Sequence, residues 1–220
     1  LALIHGWGLG SAVWEPLLPA LSERTRVHLI DLPGYRGTAD ANADFPGTAQ
    51  ALIDALPQPV TLCGWSLGAM LAIRAALLAP KRVSGLVLVG ATASFTQRGD
   101  WRAAQAPAVV DGFSASVSRH PEQTLQRFVA LLSQGDSQAR RISRSLLAGL
   151  RQGPAPAAAA LAADRPGAGL IARPGAAPAP FRTANPDLRL PSRRDRRPGV
   201  RLHDFSATRA IRAEPWIGSG

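Results

Sequence analysis

The fold is decided by residues 60–73, which read VTLCGWSLGAMLAI. A short apolar run precedes the five residues Gly-x-Ser-x-Gly at positions 64–68, and a segment with little polar surface follows them. This order predicts a buried strand, a sharp turn and a helix, with the hydroxyl of Ser66 raised at the carboxyl end of the strand. Gly64 and Gly68 would let the strand and the helix pass close together. The stretch therefore predicts a strained turn that presents a nucleophilic serine; the alternative is a glycine-rich turn in which the serine is idle.

A nucleophilic serine needs hydrogen-bond donors for the negative charge that develops during attack. The backbone N–H of Leu67 would lie at the start of the helix, where free amides favour an anion. Residues 1–4 look like the end of a buried strand and run into the loop His5-Gly6-Trp7-Gly8. A loop of this kind after a strand can supply a second donor, which would be the backbone N–H of Trp7. The alternative is an ordinary strand-to-helix turn.

Strands and helices are expected to alternate on both sides of the central stretch. Apolar runs predict further strands at 26–31 and 86–89, and helical spacing predicts helices at 48–56 and 69–78. Continuous apolar strands separated by helices are typical of a parallel sheet covered on both faces, so we expect the α/β class. Asp31, at the end of a strand, could be catalytic, but a structural role in the adjacent turn is favoured.

The domain organisation follows from where this alternation stops. We expect an α/β core over residues 1–93, a helical lid over 94–150 and an atypical tail over 151–220. Amphipathic spacing predicts lid helices at 121–133 and 136–150. Five lid residues could line an acyl pocket from above, or could only pack helix on helix: Phe128, Val129, Ala130, Leu131 and Leu132.

The net charge of +10 is concentrated in the tail, where residues 151–220 hold 12 arginines, five acidic residues and no lysine. The lid has surplus charge of its own, which could dock an acidic partner or form a solvated helical face. Its arginines are Arg127, Arg140, Arg141 and Arg144. The single cysteine, Cys63, excludes an internal disulfide framework. Because there is no signal segment and no apolar run that could span a bilayer, we expect a cytoplasmic protein with no membrane contact.

Four segments together resemble the α/β-hydrolase family over about residues 1–150. Within that family they look most like the carboxylesterases that act on the methyl ester of pimeloyl-acyl-carrier protein in biotin synthesis. The tryptophan in two of the motifs makes the match more specific than Gly-x-Ser-x-Gly alone. The segments are His5-Gly6-Trp7-Gly8, Asp31-Leu32-Pro33-Gly34-Tyr35, Gly64-Trp65-Ser66-Leu67-Gly68 and Arg127-Phe128-Val129-Ala130-Leu131.

The resemblance implies a site and a reaction. Ser66 would be the nucleophile, and the backbone N–H groups of Trp7 and Leu67 would form the oxyanion hole. Trp7, Ser66, Leu67 and residues 128–132 would contact the substrate, and the lid arginines would face the acidic carrier protein. Ester hydrolysis would pass through an acyl-enzyme and release methanol, with no metal or other cofactor.

The base and acid of such a triad are not recognisable in the tail. The family places the acid in a Gly-x-x-Asp segment and the histidine in an Ala-His-Ala-Pro-like loop, and residues 151–220 contain neither. His203 follows Asp195 by only eight residues, too few for an intervening strand and helix.

The composition of the tail leaves two explanations. It is either an arginine-rich extension that cannot build a core, or the product of a reading frame lost between residues 150 and 166, which we favour. We therefore expect a serine carboxylesterase that lacks a recognisable base. The alternatives are another small-ester hydrolase of the same fold and a non-catalytic remnant; a nucleic-acid-binding tail is the least favoured interpretation.

Overall fold

A parallel sheet of four strands forms the centre of the structure, a computed structural model that describes residues 1–38, 44–56 and 59–163. Its spatial order is β2-β1-β3-β4, and every neighbouring pair is parallel. The expected α/β class is confirmed. The second strand is shorter than the predicted 26–31, and the fourth starts earlier than the predicted residue 86. The strands are β1 (Ala2–Ile4), β2 (His28–Ile30), β3 (Val60–Trp65) and β4 (Val83–Val89).

Helices follow the strands and cover the sheet. A 3-10 helix, Ser11–Leu17, continues into α1. Asp44 is the N-cap of helix α2: its side chain accepts a hydrogen bond from the backbone N–H of Gly47 at 2.9 Å and so satisfies one free helix donor. The α-helices are α1 (Leu18–Ser22), α2 (Phe45–Ala55), α3 (Leu67–Leu78), α4 (Pro107–Arg119), α5 (Pro121–Leu132), α6 (Ala139–Leu150) and α7 (Ala158–Ala163).

Helix α3 is the helix on which the core is built. It contacts three strands, β3, β4 and β1, and also α2, which explains why its sequence has so little polar surface. Leu71, Ala72 and Ala75 are fully buried on it, against Leu62 of β3 and Ala49 of α2, which are also fully buried. The core therefore lies directly beneath the turn that joins β3 to α3.

The predicted lid region, residues 94–150, contains α4, α5 and α6. The helices expected at 121–133 and 136–150 are found as α5 and α6, whereas α4 was not predicted. After α6 the chain returns to the core: the backbone N–H of Ala157 donates to the carbonyl of Gly34 at 2.8 Å, and Leu161 is buried. Residues 157–161 therefore pack on the core although they follow the predicted boundary at residue 151. That boundary stays a prediction.

The described residues all belong to one compact unit. Most of the predicted tail, including Asp195 and His203, lies outside the described residues. Among the helices that the structure describes, none is both long enough and apolar enough to cross a membrane. The carboxyl end of β4, an edge strand of the described sheet, is exposed on both faces: Val87, Leu88 and Val89 are 40–48% exposed.

Candidate active site

Ser66 occupies the turn between β3 and α3 with a backbone that few residues adopt. Its φ is 53° and its ψ is −112°, a conformation that costs a non-glycine residue about 1–3 kcal/mol. Its backbone N–H donates to the carbonyl of Val89 on β4 at 2.8 Å, and its carbonyl accepts from Ala69 and Met70 of α3. Because the sheet holds the N–H of Ser66 and the helix holds its carbonyl, the strained backbone conformation is maintained. The side chain is half-buried at the carboxyl end of the sheet.

The two glycines of the motif are required by close backbone contacts. A Cβ on Gly64 would overlap the backbone of Gly68, one turn into α3. A Cβ on Gly68 would overlap the carbonyl of Ile4 and lie 2.6 Å from that of His5, at the end of β1. The helix can approach the sheet this closely only because both positions lack a side chain.

The loop after β1 lies against Ser66. A Cβ added to Gly6 would be in van der Waals contact with the Cβ of Ser66, 3.6 Å away, so the loop backbone passes close to the serine. The backbone N–H groups of Trp7 and Leu67 donate to no partner within the described part of the chain. Leu67 directly follows the strained serine, and Trp7 directly follows the glycine that approaches it, so both N–H groups are candidates for binding an oxyanion.

Hydrogen bonds at both ring nitrogens of His5 hold this loop and fix the imidazole in one tautomer. The backbone N–H of Leu32 donates to Nε2 of His5 at 3.1 Å, so Nε2 must be unprotonated. The proton is then on Nδ1, which donates to the carbonyl of Gly6 at 2.8 Å. The imidazole is fully buried, and burial lowers the pKa of His5 from 6.5 to about 4. His5 is therefore a neutral structural link and no candidate for the base.

This lowered pKa predicts an acid-sensitive fold. As the pH falls from 6.5 towards 4, the unfolded chain binds a proton at His5 that the folded chain does not, so we expect stability to fall by up to about 3 kcal/mol from this residue. Urea unfolding at pH 7.5, 6, 5 and 4.5 measures the slope. His5→Asn should flatten it even though it lowers overall stability, whereas the exposed control His120→Gln should leave it unchanged. If the unfolding free energy of His5→Asn fell with pH as steeply as that of the parent, His5 would not be the source of the acid sensitivity.

The side chain of Trp7 joins the loop to the lid. Its ring packs edge-on against Phe113 of α4 and Phe128 of α5, each with ring centroids 5.0 Å away. Its indole N–H donates to the carbonyl of Leu161 in α7 at 3.1 Å. Phe128 was predicted as a lid contact from the sequence and Phe113 was not, although the spacing of Val110, Phe113 and Val117 is helical. The aromatic cluster forms an apolar wall beside the loop.

The other proposed lid contacts have different surroundings. Val129 is fully buried among core residues. Ala130, Leu131 and Leu132 are exposed, the two leucines by 43% and 37%. Of the range 128–132, Phe128 packs against the ring of Trp7. Substrate contact by the rest of the range stays a prediction.

No histidine in the described residues binds the hydroxyl of Ser66. His5 uses both ring nitrogens elsewhere, and neither His28 nor His120 has a hydrogen bond to it. Asp31 has a structural role, although not in its own turn: its carboxylate accepts from the backbone N–H of Ser11 at 2.7 Å and from its hydroxyl at 2.8 Å. It thereby fixes the start of the 3-10 helix.

Comparison with known proteins extends the match beyond the sequence motifs. A family model described as the alpha/beta hydrolase fold matches residues 1–197. The chain belongs to the α/β-hydrolase family. The match continues past residue 150, further than the motifs alone reach. A solved esterase from Exiguobacterium antarcticum shares the fold with a TM-score of 0.63 at 19% identity, over 74% of this chain and 63% of that one.

Several curated relatives of this α/β-hydrolase share a name. Two proteins called pimeloyl-[acyl-carrier protein] methyl ester esterase are similar to it. The protein from Photobacterium profundum is 45% identical over 142 residues, which cover 64% of this chain and 56% of the relative. The protein from Aeromonas hydrophila is 39% identical over 175 residues, which cover 78% of this chain and 67% of the relative. The chain thus spans only about 56–67% of the length of these relatives.

Proposed function

We propose that this α/β-hydrolase is a serine carboxylesterase that hydrolyses the methyl ester of a pimeloyl group attached to acyl-carrier protein, a step of biotin synthesis. The observation that carries the proposal is the strained turn at Ser66, against which the Trp7 loop lies with two free backbone donors beside it. The substrate is suggested by the names of relatives that are 36–45% identical.

The proposed reaction has two stages. The oxygen Oγ of Ser66 attacks the ester carbonyl while its proton passes to a base, and the resulting oxyanion accepts hydrogen bonds from the N–H groups of Trp7 and Leu67. Methanol leaves with the transferred proton, and the acyl group remains on Ser66. Water then attacks the acyl-enzyme and releases the free acid on its carrier.

The base for this reaction has to come from outside the described residues. The described histidines have no bond to Ser66, and the only other histidine of the chain is His203. This observation favours a second candidate, a non-catalytic remnant of the family that keeps the turn without turning over ester. Hydrolysis of a short p-nitrophenyl ester separates the two candidates, because a remnant leaves only the uncatalysed rate.

The carrier protein is proposed as the partner because of the lid charge. Arg140, Arg141 and Arg144 on α6 and Arg127 on α5 are exposed, and none forms an ion pair with an acidic residue in the described part of the chain. Unpaired arginines on one pair of adjacent helices present a positive field to an acidic protein.

We expect charge reversal on α6 to weaken carrier recognition selectively. Arg140→Glu combined with Arg141→Glu should raise KM for the carrier-bound methyl ester by about tenfold or more, while KM for a small methyl ester stays unchanged. For the parent protein, added salt should likewise raise KM for the carrier-bound ester, because salt screens the attraction between the arginines and the acidic carrier. The matched control reverses two exposed arginines near α1, Arg24 and Arg26, and should have no effect. Equal changes in both double variants would contradict docking on α6.

A further inference from the structure

Tyr35 is a fully buried residue that contacts the loop after β1, residues 5–8, at two points. It follows β2 in the segment Asp31-Leu32-Pro33-Gly34-Tyr35, 27 residues from the loop that it touches. Its ring packs on the imidazole of His5, with centroids 4.5 Å apart and planes inclined by 54°. Its hydroxyl oxygen accepts a hydrogen bond from the backbone N–H of Gly8 at 3.1 Å. The contact therefore combines packing with a specific polar bond.

The geometry of the peptide bond connects these contacts to the proposed oxyanion donor. In a trans peptide the carbonyl and the N–H lie in one plane and point in opposite directions. The N–H of Trp7 shares its plane with the carbonyl of Gly6, which His5 holds. The carbonyl of Trp7 shares the next plane with the N–H of Gly8, which Tyr35 holds. The two peptide planes on either side of the Trp7 Cα are thus both fixed by the His5–Tyr35 pair.

The loop needs such anchors because glycine permits many backbone conformations. Gly8 and Gly10 have φ values of 76° and 71°, in the region that residues with side chains rarely adopt. A Cβ on Gly8 would lie 2.5 Å from a methyl group of Leu125 in α5, which would have to move, and the positive φ would strain any residue with a side chain there. The loop therefore gains its rigidity from outside contacts and not from its own sequence.

We propose that Tyr35 is a positioning residue for the oxyanion hole: its hydroxyl fixes the Trp7–Gly8 peptide, and its ring fixes His5, so that the N–H of Trp7 is aimed before substrate binds. This inference rests on the proposed function of the Ser66 site. Preorganised donors stabilise charge without reorganising during the reaction, so loosening them lowers the rate of the chemical step more than the binding of substrate.

Tyr35→Phe tests the hydroxyl while keeping the ring on His5. In the full chain we expect amide hydrogen exchange in residues 6–10 to become about tenfold or more faster, with exchange in α3 unchanged. We also expect the maximal rate of Ser66 labelling by a fluorophosphonate probe to fall roughly tenfold, with half-saturation at the same probe concentration. Ser94→Ala, which removes another buried hydroxyl that bonds only within its own turn, is the matched control and should change neither quantity.

The outcomes separate this inference from the function on which it rests. Unchanged exchange in residues 6–10, or faster exchange throughout α3, would overturn the positioning role and leave Tyr35 as core packing. Faster loop exchange with an unchanged labelling rate would overturn the link to the oxyanion hole. A parent chain that does not react with the probe would contradict the proposed function, and the exchange measurement would still decide whether Tyr35 anchors the loop.

Discussion

Replacing Ser66 by alanine is expected to remove nearly all ester hydrolysis. Ser66 is the only group proposed to form the covalent intermediate, and removing a nucleophile of this kind lowers kcat by about 10⁵–10⁶-fold in a serine hydrolase. The release of p-nitrophenol from a short ester measures the loss. Ser84→Ala is a suitable control, because Ser84 is exposed near the start of β4, away from the carboxyl ends of the strands.

The backbone at position 66 gives this variant a second readout. Alanine at φ 53° keeps the strain, so Ser66→Ala should unfold at nearly the same temperature as the parent. Glycine adopts this region freely, so Ser66→Gly should be inactive and yet more stable by about 1 kcal/mol. Activity retained in either variant would contradict the proposed nucleophile, and a destabilised glycine variant would contradict the strain.

Replacing Gly68 by alanine is expected to have the largest effect on stability. The added methyl group would overlap the carbonyl of Ile4 and lie 2.6 Å from the carbonyl of His5, and neither is a flexible side chain that could move aside. The helix would have to separate from the sheet, so we expect a loss of about 4 kcal/mol or more in the free energy of unfolding. Urea denaturation of the purified variant measures it.

Gly112 provides the matched control for this substitution. It lies inside α4, and a Cβ there would meet nothing within 4 Å. Gly112→Ala should therefore stabilise the protein by up to about 1 kcal/mol, since alanine is the better helix former. If Gly68→Ala unfolded at the same urea concentration as the parent, the close approach of α3 to β1 would be wrong. A Gly68→Ala chain recovered only as unfolded protein would agree with the prediction, provided that Gly112→Ala is recovered folded.

The parts of the fold that the sequence predicts are those set by local pattern. The turn at Ser66 and the alternation of strands and helices follow from apolar runs and glycine positions within about 15 residues of each other. Helix α4 was missed because serines and Gly112 interrupt its apolar positions, so the helical spacing of Val110, Phe113 and Val117 is a weak signal. Tertiary packing against Trp7 supplies what local propensity lacks.

The contacts that build the candidate site could not be predicted, because they join distant parts of the chain. The indole of Trp7 binds the carbonyl of Leu161, 154 residues later, and Tyr35 binds Gly8 across 27 residues. No periodicity or propensity within either segment encodes such a pairing. The role of Asp31 was expected to be structural, but its partner, Ser11, lies 20 residues earlier and is known only from the fold.

The central claim is that Ser66 is an activated nucleophile, and covalent trapping tests it most directly. The full chain is incubated with a fluorophosphonate probe, and intact mass and peptide mapping follow the adduct, with Ser66→Ala alongside. The account predicts one adduct per chain, mapped to Ser66 and absent from the variant. An unlabelled parent whose cooperative thermal unfolding shows that it is folded would contradict the claim and leave a hydrolase fold without hydrolase chemistry.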